Sequence, residues 1–139
     1  MREILFRGKT LLDKWIEGDL LQYLGDGKVH IVQHYKGAGG QEVIPETVGQ
    51  YTGLTDITGK KIFEGDIVIY TDAEADYEGY HDNVFLNRGE VGVSAWDGIY
   101  FTNRQTVEMS DLYRGETMVD CKVIGNIHDN PELVKEVCL

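Results

Sequence analysis

Asp56-Ile57-Thr58-Gly59-Lys60-Lys61-Ile62-Phe63-Glu64-Gly65-Asp66-Ile67-Val68-Ile69-Tyr70 reads as turn, short strand, turn, long strand. Asp at the first and Gly at the fourth position of Asp56-Ile57-Thr58-Gly59 is the preference of a type I turn. Ile62-Phe63 returns the chain to a core, and Glu64-Gly65 turns it again. Asp66-Ile67-Val68-Ile69-Tyr70 is the strongest strand in the sequence. It is apolar on both faces and rich in β-branched residues, which predicts a central place in a sheet.

Upstream, residues 1–7 suit a short strand and Gly8-Lys9-Thr10 a turn. Leu20, Leu21 and Tyr23 face Val29, Ile31, Val32 and Tyr35 across Gly25-Asp26-Gly27, a hairpin whose glycines tolerate positive φ. Residues 36–41 read as a flexible glycine-rich loop, Pro45-Glu46-Thr47 as a single turn, and 48–52 as a short extended piece. Glu17-Gly18-Asp19 echoes Glu64-Gly65-Asp66, and both are expected to be turns in which Asp bonds nearby N–H groups. Downstream, 71–82 is a polar, acidic loop. A strand begins at Val84, and Asn87-Arg88-Gly89 is a turn. Asp97-Gly98 forms a two-residue type I′ hairpin between Trp96 and Ile99. Residues 105–110 fit a strand or a short helix, and 119–124 a strand. Asn130-Pro131-Glu132 opens a helix with Asn as N-cap, and Leu133, Val134 and Val137 give it an apolar side.

This cadence of eight or nine short strands belongs to a mainly β protein, a barrel or a sandwich. The expected plan is an N-terminal β-meander (1–44) packed on an SH3-like or barrel-like β unit (45–139), with a short C-terminal helix.

The chain has 139 residues, enough for one domain with a real core. Its 24 acids and 13 bases give a net charge of −11. That weighs against duplex DNA and anionic membranes, which need a cationic face. No apolar run is long enough to span a bilayer and no leader pattern opens the chain, so a cytoplasmic location is expected. Cys121 and Cys138 form neither a CxxC pair nor a disulfide framework, which suits that compartment.

Tests for chemistry fail on spacing. Gly8-Lys9-Thr10 has Glu3 where a phosphate-binding loop requires an earlier Gly. Gly37, Gly39 and Gly40 meet Glu42 where a dinucleotide fingerprint needs its third Gly. On a strand, His30 and His34 would stand roughly 13 Å apart, too far for one metal. No nucleophile elbow, HExxH or cysteine–histidine signature is present. No catalytic, metal or cofactor residue is therefore named.

The 71–82 stretch carries five of the eleven excess negative charges and no base. Read as a calcium loop from Asp72, it has Tyr77 in place of the sharp-turn Gly and Asn83 in place of the bidentate Glu. It reads as a solvated loop of like charges, as a looser cation site, or as a docking loop for a basic partner. In the last case Asp72, Glu74, Asp76, Tyr77, Glu78, Tyr80 and Asp82 form the interaction site.

Residues 45–68, from Pro-Glu-Thr-Val-Gly-Gln-Tyr through Glu-Gly-Asp-Ile-Val, closely resemble the signature of the YopX family, encoded mainly by bacteriophages and prophages. Arg2-Glu3-Ile4-Leu5-Phe6-Arg7-Gly8-Lys9 is similar to the family's N-terminus. Trp15-Ile16-Glu17-Gly18 matches its turn into the first hairpin, and residues 123–133, Val-Ile-Gly-Asn-Ile-His-Asp-Asn-Pro-Glu-Leu, its closing motif. The resemblance implies a mostly β phage or prophage accessory protein in a bacterial cytoplasm, with self-association and no catalytic residue to carry over. The expected function is non-enzymatic: protein–protein contact with itself, as a homo-oligomer, and with a host or phage protein. One version is an acidic decoy for a nucleic-acid-binding site. The alternative is a small-ligand or metal-binding module, or a cryptic enzyme, in a cleft between the two β units. Direct nucleic-acid binding is a third class, which the charge disfavours.

Overall fold

A computed structural model describes residues 3–22, 25, 27–33, 39–75, 81–94, 98–102, 113–114, 117–118 and 121–133. The architecture is mainly β, as expected, with a short helical turn at residues 131–133. Two compact units divide the chain, Met1–Gly53 and Leu54–Leu139.

In the first unit β1 (Phe6–Lys9), β2 (Trp15–Gln22), β3 (Val29–Val32) and β4 (Gly40–Val43) follow one another as an antiparallel meander. A 3-10 turn at Pro45–Thr47 leads to β5 (Gly49–Thr55), whose Gly49 and Gln50 pair with Arg7 and Phe6. Pro45 suits the first helical position, where no N–H is needed. The meander closes on itself: Thr10 bridges to Val43, and the Ile44 N–H donates to Lys9 O at 2.8 Å. Closure turns alternate residues inward. Val29, Ile31 and Val43 are buried there against Phe6, Ile16, Leu20 and Val48. The Thr47 hydroxyl donates to Ile44 O at 2.6 Å and accepts the Lys9 N–H at 2.9 Å. The Tyr51 N–H donates to Leu5 O at 2.8 Å, so residues 45–53 stay with this unit.

Three local expectations change here. Gly8 and Lys9 belong to β1, and the turn falls at residues 10–14. Glu17-Gly18-Asp19 is no turn. It lies within β2, where a Cβ on Gly18 would collide with Val32 O. Gly40 and Gln41 are strand residues, paired with Val32 and Ile31.

The second unit holds β6 (Lys61–Phe63), β7 (Asp66–Ala75), β8 (His81–Ser94), β9 (Gly98–Phe101), β10 (Tyr113–Arg114), β11 (Thr117–Met118) and β12 (Cys121–Asn126). Four of these make an antiparallel sheet in the order β12-β7-β8-β9, with β7 inside as predicted. β6 pairs with β5, β10 with β11, and β11 joins β5 in parallel at Thr117↔Thr55. The core is Ile62, Val68, Tyr70, Val91, Phe101, Cys121 and Val123, with Leu54 and Ile99 against it. The Tyr70 and Phe101 rings lie 4.5 Å apart, tilted by 39°. Each large side chain removed from water here stabilises the fold by about 2 kcal/mol.

β8 runs unbroken. Asn87, Arg88 and Gly89 are not a turn but pair with Tyr70, Ile69 and Val68. A turn there would strip partners from buried β7 backbone, which is costly. The acidic loop is shortened in the same way: residues 71–75 continue β7, and β8 has begun by His81. A ladder is built from backbone groups, so a run of charged side chains does not end it. The second hairpin also shifts register. Ser94 pairs with Gly98, so Gly98 opens β9 and does not centre a two-residue turn. Residues 95–97 and 103–110 lie outside the described residues.

Candidate functional site

Three of the seven residues singled out by sequence, Asp72, Glu74 and Asp82, lie on the β7–β8 ladder. Asp72 and Glu74 stand in β7, opposite Phe85 and Asn83. Asp82 lies in β8 at the register shift that separates Glu74↔Asn83 from Ala75↔His81. Asp76, Tyr77, Glu78 and Tyr80 lie outside the described residues. Among the described residues, β12 pairs with β7 only up to Tyr70, and β9 pairs with β8 only from Val91 onward. Among the described residues, the rungs from Thr71↔Leu86 to Ala75↔His81 have no third strand beside them and form a two-stranded arm. Leu86 at its base is 74% exposed.

A second cluster is buried. Asp56 is 1% exposed and ionic. Its Oδ1 accepts the Thr58 N–H at 2.9 Å, the Thr58 hydroxyl at 2.6 Å and the Lys60 N–H at 3.0 Å. Its Oδ2 accepts the Val123 N–H at 2.9 Å. Burial pushes this carboxyl up, but the hydrogen bonds from Thr58, Val123 and Lys60 together outweigh it and hold the carboxyl below its ordinary value. Asp66, equally buried, accepts the Phe63 N–H at 2.8 Å and so shapes the Glu64-Gly65 turn. Burial, with the Asp56 and Asp66 charges, pushes the Cys121 thiol up to about 12. A thiol so protonated is no nucleophile at neutral pH. This cluster is architectural. Glu90 is raised by burial and by the charge of Glu64. Among the described residues, no three His, Cys, Asp or Glu are placed to hold a metal ion.

The first unit offers one surface feature that the sequence reading missed. The 10–14 turn exposes Leu11 and Leu12 beside a depression of about 410 Å³ lined by Thr10, Leu11, Leu12, Lys14, Gln41 and Glu42. Two adjacent leucines between Thr10 and Asp13 were the available signal. Trp15, at the foot of the turn, carries Arg7 Cζ at 4.9 Å and Lys9 Nζ at 5.8 Å from its ring centroid. Such cation–π contacts stiffen the β1–β2 pair.

The YopX family, described as "YopX protein", matches residues 5–135. The chain belongs to the YopX family. It is similar over 96% of its length to protein EF1440 from Enterococcus faecalis, known from a crystal structure. That match has 25% identity, covers 99% of the other chain and has a TM-score of 0.55. No curated protein matches. Among the described residues, no helix is long and apolar enough to cross a membrane.

The two most specific YopX blocks, 45–68 and 123–133, meet in the second unit through residues 54–68 of the first block. Asp56 bonds Val123, the Ile57 N–H donates to Cys121 O at 2.9 Å, and the Ile127 N–H donates to Gly65 O at 2.9 Å. The YopX closing motif is a knot of local bonds. Asn126 Oδ1 accepts the N–H groups of His128 (3.0 Å) and Asp129 (2.9 Å). Asn130 stands at the expected N-cap position, its O accepting the Leu133 N–H at 3.1 Å, but its side chain turns back and does not cap. Its Oδ1 accepts the Asn126 N–H at 3.2 Å and lies where a Cβ on residue 125 would be, which requires Gly125. These YopX residues build the fold.

Proposed function

We propose that this YopX protein is a phage or prophage accessory protein of the bacterial cytoplasm that works without catalysis, through protein–protein contact and self-assembly. The observation that supports the reading is the antiparallel β7–β8 ladder, which carries Asp72, Glu74 and Asp82 of the acid-rich stretch of a −11 chain. A backbone ladder pre-orders the residues paired on it, so less conformational entropy is lost when they bind. Acidic side chains along it would steer a basic partner and reject nucleic acid. Asp72, Glu74, Asp76, Glu78 and Asp82 supply the charge, and Tyr77 and Tyr80 the adhesive aromatic area.

The test is capture from a bacterial lysate by the wild-type chain and by a chain with Asp72→Asn, Glu74→Gln, Asp76→Asn, Glu78→Gln and Asp82→Asn. Basic proteins retained by the first and lost by the second, with retention falling as salt rises, support the reading. An identical set on both chains, or none at any salt, overturns it.

A further inference from the structure

The 10–14 turn is rigid at its base and apolar at its tip. The Thr10 N–H donates to Lys14 O at 2.8 Å, the Asp13 N–H to Thr10 O at 3.0 Å, and the Lys14 N–H to Thr10 Oγ1 at 3.2 Å. Asp13 adopts φ 67°, a left-handed conformation that Asp tolerates better than most residues, and its carboxylate meets Lys9 Nζ at 2.8 Å. That fixed frame holds Leu11 and Leu12 in water, 63% and 82% exposed. Apolar side chains presented by an ordered backbone lose little entropy when they are covered.

The surroundings of the tip say what covers it. A chain of −11 repels its own copy over most of its surface. Around this tip the charges balance: Lys9 and Lys14 against Asp13 and Glu42. Among the described residues no ion pair holds Lys14 or Glu42. An apolar knob, a depression of about 410 Å³ beside it, and one charge of each sign on its rim make a self-complementary patch. A two-fold contact requires this, since residue i meets j and j meets i. A strongly basic partner would be drawn to the acidic arm and away from a neutral tip.

The geometry points to a two-fold contact between two copies of this chain: Leu12 of each copy enters the depression of the other, and Lys14 of each meets Glu42 of the other. This gives the self-assembly in the proposed function a surface, and it uses no residue of the arm.

Sedimentation velocity over a concentration series tests it, with thermal melts as the folding control. The wild-type chain and the arm-neutralised chain both dimerise. Leu12→Glu raises the concentration needed by about tenfold or more without lowering the melting temperature. Lys14→Glu and Glu42→Lys each weaken the dimer, and the two together restore it. A wild-type chain that stays monomeric, a Leu12→Glu chain that dimerises unchanged, or a double charge swap as weak as its singles overturns the contact. Lysate capture with the Leu12→Glu chain keeps the two readings apart: loss of the dimer alone leaves arm-dependent capture intact.

Discussion

Asp56 joins the residue scale to the fold. As the first residue of a type I turn it is legible in sequence, and the Gly59 N–H does donate to Asp56 O at 3.0 Å. Its fourth hydrogen bond, to Val123, crosses 67 positions and leaves no local trace. Asp56→Ala leaves three backbone N–H groups without this acceptor and is expected to cost about 3 kcal/mol in urea unfolding at neutral pH. The pH dependence has a definite sign. The folded carboxyl titrates below its ordinary value, so on acidification the unfolded chain takes up this proton first. The Asp56 contribution is full above the ordinary carboxylate range and is lost as pH falls through the folded value. In Asp56→Asn that part of the acid sensitivity disappears.

Cys121 behaves oppositely. With its thiol pushed up from 9.0 to about 12, the unfolded chain ionises first as pH rises. Stability is full below pH 9.0 and falls between there and about 12. Iodoacetamide at neutral pH should leave Cys121 unmodified in the native chain and modify it in denaturant, read by peptide mass mapping.

At the scale of the element, the same tripeptide does two things. Glu64-Gly65-Asp66 is a turn because the Asp66 carboxylate reaches back to the Phe63 N–H. Glu17-Gly18-Asp19 is strand because β1 and β3 pair with β2 on both sides. Gly18 is needed there for close approach and not for a turn. Gly18→Ala must push Val32 backbone aside and should cost about 2 kcal/mol, lowering the urea midpoint at an unchanged slope. The failure of the turn signal at Asn87-Arg88-Gly89 has the same origin. Local preferences there amount to about 1 kcal/mol, and an uninterrupted ladder against Val68 and Tyr70 exceeds that.

At the scale of the whole molecule, charge is the organising quantity. The excess of −11 is uneven: five negative charges fall within residues 71–82, while the tip at Leu11 and Leu12 is locally neutral. A protein so built would meet basic partners at one place and itself at another. The two activities should then answer differently to salt. Arm-dependent capture should weaken steeply between low and physiological ionic strength, while a dimer centred on leucines should change little. Parallel salt series on one preparation would check this.

Composition, turn chemistry and the strand at residues 66–70 determined a mainly β chain by themselves, because glycine placement and β-branched runs act within a few residues. The family was legible too, since its motifs are contiguous. Tertiary structure alone decided the closure of the first meander at Thr10 and Val43, the unbroken β8, the bond that ties the Asp56 turn to Val123 and the exposure of Leu11 and Leu12. Each of these depends on which distant strand supplies a hydrogen-bond partner or fails to cover a side chain, and a backbone donor such as the Val123 N–H is the same in every residue type.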